Sequence, residues 1–183
     1  MHRIEAYVTL GLIIIAIISI FYLPILLILK KRGVAIIRQL SYLALFCSVF
    51  LIIFGTILFM PFTFNPSRYV LNLRLFDWSN KVNPAKMFVE EVIPNIMMFI
   101  PLGFFVPIVF AKMRKLYRTA IVAFAVTFSV EFFQYFIGRS CDIDDILANF
   151  FGGVLGYLIF SVFHSLLKRR KWWKKFIGNK SVA

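Results

Sequence analysis

The chain has 183 residues, of which 61% are apolar and only 16% charged. That apolar share exceeds what one soluble core of this size can absorb, which excludes a soluble enzyme. The formal net charge of +13 does not point to nucleic acid, because the charges sit between hydrophobic runs, where they act as a topology signal.

About 20 helical residues at 1.5 Å each cross a hydrocarbon core of about 30 Å. Five stretches reach that length, at 6–29, 40–61, 92–111, 119–137 and 147–167. They predict an all-α polytopic bundle of five transmembrane helices within one membrane domain, 1–183. The first stretch is long and is followed by Lys30, Lys31 and Arg32, so it reads as a retained helix rather than a signal peptide. The first two spans carry no ionisable residue and few polar ones, among them Ser41, Ser48 and Thr56, and read as scaffold. Residues 62–91 are too polar to span. Their Phe62, Phe64, Tyr69, Phe76 and Trp78 suit the headgroup region, so an outer surface loop over the mouth of the bundle is expected.

The third span contains Pro94, Pro101 and Pro107, which remove backbone donors and predict a kink. Asn95 lies about one turn below its outer end. In the fourth span Glu131 is the acid that needs a reason, since a charge near the bilayer centre costs about 2.5 to 3.5 kcal/mol. Thr127 and Gln134 share its face at i−4 and i+3. In the fifth span Asn149, Gly152, Gly153 and Gly156 form one face, and Gly152 and Gly156 are expected to let a neighbouring helix come close. Before that span stand Arg139, Asp142, Asp144 and Asp145. A helix start uses one such carboxylate as a cap. The others are available to position a substrate or a hard cation, although no histidine or fixed ligand spacing supports a metal, and Arg139 has the fork that holds a phosphate or carboxylate. The basic tail, 168–183, with Trp172, Trp173 and Phe176, reads first as a topology signal and second as a binder of anionic headgroups. Cys47 and Cys141 lie at different depths and are expected to stay unpaired.

Fifteen basic residues follow the first, third and fifth spans, while six basic residues and seven acids lie on the other side. The positive-inside rule then predicts an amino terminus outside and a cytoplasmic carboxyl terminus. Asn95, Glu131, Gln134, Arg139, Asp142, Asp145 and Asn149 come from three helix ends at similar depth on the outer side. One buried polar residue is commonly structural; seven entering one region predict a pocket open to the outer leaflet.

The series NIMMFIPLGF from Asn95 to Phe104, EFFQ from Glu131 to Gln134 and GRSCDIDDILANFFGGVLGY from Gly138 to Tyr157 resembles the VanZ-like family of bacterial membrane proteins. LNLRLF around Asn72 resembles a further element of that family, with Leu75 where a proline is expected. The resemblance implies a multi-pass protein of the bacterial cytoplasmic membrane, with founding members linked to resistance to the glycopeptide teicoplanin. Its polar motif positions fall on the same seven residues. Two readings follow. In one, the pocket handles a lipid-linked or amphiphilic envelope molecule, with membrane lipids as partners and no cofactor or nucleic acid. In the other, the chain is a non-enzymatic scaffold whose polar residues hold the helices together. An acid–base enzyme using Glu131 is a third, without any accompanying nucleophile motif.

Overall fold

The computed structural model describes residues 2–58 and 70–178, with the side chains at 2–8 and 10 excepted. Phe62, Phe64 and Tyr69 of the expected surface loop, the end of the second expected span and Lys180 lie outside the described residues. Helix α1 spans His2–Lys31 and α2 spans Ile36–Ile53, prolonged by a wide π turn over Phe54–Leu58. A short strand β1, Leu71–Asn72, and a 3-10 turn, Asp77–Asn80, precede α3, Pro84–Met87. A second π turn, Phe88–Val92, leads into α4, Ile93–Val109. Then follow α5, Leu116–Phe136; β2, Cys141–Asp142; α6, Ile143–Leu167; and α7, Lys171–Phe176.

Five helices are long and apolar enough to cross a membrane: Gly11–Lys31, Ile36–Leu58, Pro84–Val109, Leu116–Phe136 and Ile143–Leu167. They correspond to the five expected spans, with boundaries shifted by a few residues and most at the start of the third. The third begins at Pro84, because Asn83 accepts a hydrogen bond from the Lys86 amide and proline occupies the first turn, where its missing donor costs nothing. Residues 84–91 are therefore helix, not surface loop. The fifth begins at Ile143, because the Asp142 side chain caps it by accepting from the Asp144 amide. Backbone pairing between β1 and β2, parallel in the register Leu71 to Cys141 and Asn72 to Asp142, had no signal in the sequence.

Helix α4 lies between α2 and α6, α5 covers the other flank of α6, and α1 leans chiefly on α2. Leu12, Ile20, Phe21 and Leu23 of α1 are exposed, the stable state for a helix facing acyl chains. Lipid removes the hydrophobic drive for helix association, so close van der Waals packing must supply it. Glycine does so here. A Cβ at Gly103 of α4 would overlap the Gly153 carbonyl of α6, and one at Gly156 would overlap the Ile100 carbonyl. On the opposite side a Cβ at Gly153 would press on the Cβ of Ala123 in α5. Ile52, Phe99, Leu102, Val106 and Val130 complete a core shared by α2, α4 and α5.

At the basic end the tail folds back. Trp173 and Ile177 pack on Ile108 and Phe160, and the Trp173 indole donates to His164 Nδ1 at 3.1 Å, which satisfies its buried N–H. Trp173 is 2% exposed and its neighbour Trp172 is 48% exposed, so one indole faces the bundle and the other faces out. The last carbonyls of α4 have no helical donors. Arg38 supplies them, donating to Ile108 O at 2.9 Å and Val109 O at 2.8 Å and also to Phe176 O at 3.0 Å. Arg114 does the same for Pro107 O at 3.1 Å and Ile177 O at 2.6 Å. Two of the fifteen topology-signal residues are thus also helix caps, placed where the dipole favours a cation.

Two predictions follow from this packing. Gly156→Ala should destabilise the purified protein by about 1 to 3 kcal/mol through overpacking, whereas Gly11→Ala, whose Cβ would meet Leu51 at an ordinary 3.7 Å, should leave its thermal aggregation temperature unchanged. Trp173→Ala should cost about 3 to 5 kcal/mol as a buried aromatic truncation, and Trp172→Ala should shift the same melting curve little.

Candidate functional site

The site is assembled where α2, α4, α5 and α6 end at the acidic side. In the π turn closing α2 the Thr56 hydroxyl donates to Ile52 O at 2.6 Å, and the Thr56 carbonyl is the acceptor for two side chains from elsewhere in the chain. That carbonyl receives Gln134 Nε2 at 2.9 Å and Arg139 Nη1 at 2.6 Å. One backbone oxygen therefore ties α2 to α5 and to the loop after it. Helix α5 ends at Gly138 with φ +83°, a left-handed cap that glycine adopts without strain. The Gly138 amide donates to Tyr135 O and the Arg139 amide to Gln134 O, which turns Arg139 back across the helix end.

The next residues form β2. The Cys141 amide donates to Val70 O at 2.9 Å, and the Asp142 amide donates to Glu131 Oε2 at 3.1 Å. The three aspartates then divide. Asp142 Oδ1 caps α6 and Oδ2 accepts from Asn72 Nδ2 at 2.9 Å. Asp144 turns outward, and its two oxygens accept from the Phe76 and Asp77 amides at 2.8 Å each, holding Phe76 at φ +58°. Asp145 turns inward and accepts from Asn95 Nδ2 of α4 at 2.6 Å. Capping, loop anchoring and interhelical contact are thus three jobs for three neighbouring carboxylates.

All seven residues singled out from sequence, Asn95, Glu131, Gln134, Arg139, Asp142, Asp145 and Asn149, line one cavity of about 600 Å³. Glu131, Gln134 and Asn149 are buried, at 2%, 5% and 1% exposure, and the other four are half-buried. The same cavity continues along Leu12, Ile14, Ile15, Leu51, Met97 and Met98 of α1, α2 and α4. A second hollow of about 570 Å³ is lined by Arg74, Asp77, Trp78 and Lys81 and shares Glu91, Ser140, Asp142 and Asp145 with the first. There the Lys81 ammonium, 2.7 Å from Asp77, holds that carboxyl below its usual pKa by hydrogen bonding. Burial first, and then the nearby carboxyls of Glu131, Asp142 and Asp145, push the Cys141 thiol up, so it stays protonated and unreactive at neutral pH. Cys47 and Cys141 are both free.

Sequence reasoning missed Thr56, Asn72, Glu90, Glu91 and Ser140. Thr56 contributes a backbone oxygen, which no side-chain pattern announces, and Asn72 enters through a strand pairing across 70 residues. Glu90 and Glu91 carried a visible signal as paired acids at a span start, and both line the cavity. Among the described residues no three histidine, cysteine or carboxyl groups are grouped to hold a metal ion. The arrangement offers carboxyl, amide and guanidinium groups for binding, with an apolar extension beside them.

The sequence profile of the VanZ/LLP1 family matches residues 20–164, a range containing every motif quoted above. A similar curated protein is Protein VanZ of Enterococcus faecium, 27% identical over 135 residues, covering 73% of this chain and 79% of the relative. No solved structure matches the chain significantly. With a profile match across most of its length and five helices able to cross a membrane, the chain belongs to the VanZ/LLP1 family and is a multi-pass membrane protein.

Proposed function

We propose that the protein resides in the bacterial cytoplasmic membrane, with its amino terminus outside and its basic end cytoplasmic, and that its cavity binds a lipid-linked or amphiphilic envelope molecule. The observation that carries this reading is the continuity of one cavity from seven polar positions to an apolar groove. An amphiphile needs both ends at once: polar groups that fix the head and apolar walls that accept a chain. The cavity's place beneath the acidic end matches the outer leaflet under the positive-inside orientation. The second hollow, sharing four residues with the first, offers room for a head larger than a simple phospholipid's. Kinship with Protein VanZ, together with the teicoplanin link of the family's founding members, supports a contribution to glycopeptide resistance through the envelope molecule bound.

The scaffold reading also has an observation in its favour. Gln134 and Arg139 donate to Thr56 O, and Asn95 donates to Asp145, which are the interhelical bonds such a role uses. The two readings part on Glu131→Gln, which keeps an acceptor for the Asp142 amide while removing the acid.

In a strain lacking the gene, a plasmid copy carrying Glu131→Gln or Arg139→Ala should accumulate in membranes like the wild type. Each should nevertheless leave teicoplanin susceptibility at the level of the empty vector. Full restoration by both variants would remove the pocket from the function, and loss of both proteins from the membrane would favour the scaffold.

A further inference from the structure

The lining of the cavity sets the chemistry of the head it takes, on the reading that it holds an amphiphile. Its carboxyl groups, from Glu90, Glu91, Glu131, Asp142 and Asp145, face one guanidinium among the described residues, that of Arg139. Several of the donors are spent within the protein. Arg139 Nη1 and Gln134 Nε2 both donate to Thr56 O, and Asn95 Nδ2 donates to Asp145. Asn149, which lines the same cavity and is 1% exposed, keeps a side-chain oxygen with no partner. A buried acceptor left unmade is costly, and a donor on a ligand removes that cost.

We propose that the cavity takes an amphiphile whose head carries a primary ammonium, with the cation among the carboxyl groups and an N–H directed to Asn149 Oδ1. An ammonium has three donors and no acceptor, the complement of an acid-rich, acceptor-rich wall. A head bearing only phosphate has no N–H for Asn149 Oδ1 and meets a wall with more carboxyl groups than guanidinium groups, so complementarity selects against it. A bare divalent ion does not fit, because no three ligating groups are gathered for it among the described residues. The ammonium has two chemical sources, an ethanolamine head or an aminoacyl ester on a lipid.

The test uses the full chain in detergent with short-chain lipids of identical acyl length, read by native mass spectrometry. The probes are phosphatidylethanolamine, its N-acetylated form, lysyl-phosphatidylglycerol and phosphatidylglycerol. At least one amine-bearing lipid should bind roughly tenfold or more tightly than its amine-free counterpart, and which one does so identifies the source. Asn149→Leu should bring that preference down to about twofold or less; Glu91→Gln, at an exposed position in the π turn before α4, should weaken it and serves if the leucine variant does not accumulate. Equal binding of amine-bearing and amine-free lipids overturns the ammonium assignment and leaves the amphiphile reading intact. Binding of none of the four overturns both.

Discussion

The near-contact of two backbones, α4 at Gly103 and α6 at Gly153, is the constraint on which the rest depends. The two helices run parallel, so one offset of 50 residues pairs Gly103 with Gly153 and Asn95 with Asp145. The polar pair lies eight residues, about 12 Å of helix, from the glycine pair. Asparagine and aspartate have short side chains. They meet only where the helix axes are close, and the glycines make the axes close. Widen that interface and the cavity loses the wall that Asn95, Asp145 and Asn149 provide.

A second constraint is economical in a different sense. Membrane-spanning helices must satisfy their terminal carbonyls with something other than lipid. At the acidic end the Thr56 carbonyl is satisfied by Gln134 and Arg139; at the basic end the α4 carbonyls are satisfied by Arg38 and Arg114. The same groups that remove a desolvation cost also fix helix positions, so stability and site geometry are not separable at these residues. This is why Arg139, which from sequence looks like a free anion fork, is in part a strut.

Much of the molecule was legible in the chain. Hydrophobic run length predicted the five spans, because bilayer thickness imposes one number on every crossing helix. The candidate residues were legible because a polar group inside an apolar run is expensive and so stands out: Glu131 with Gln134, Asn95 among prolines, Asn149 beside three glycines. The division of labour among Asp142, Asp144 and Asp145 was not legible. Three adjacent carboxylates present the same chemistry, and only the loop that approaches from 70 residues away decides which one caps, which one anchors and which one turns inward.

By itself the sequence determined that this is a multi-pass helical protein, the approximate place of its five long helices, and which side chains are too polar to face lipid, all of which follow from local transfer costs summed along the chain. The tertiary structure alone decided that those side chains share one hollow with an apolar groove, that Thr56 lends a backbone oxygen to it, and that Trp173 faces the bundle while Trp172 faces out. The physical reason is that convergence depends on which helices touch and at what separation. That is set by glycine contacts and unsatisfied carbonyls between distant segments, quantities that have no value until the chain is folded.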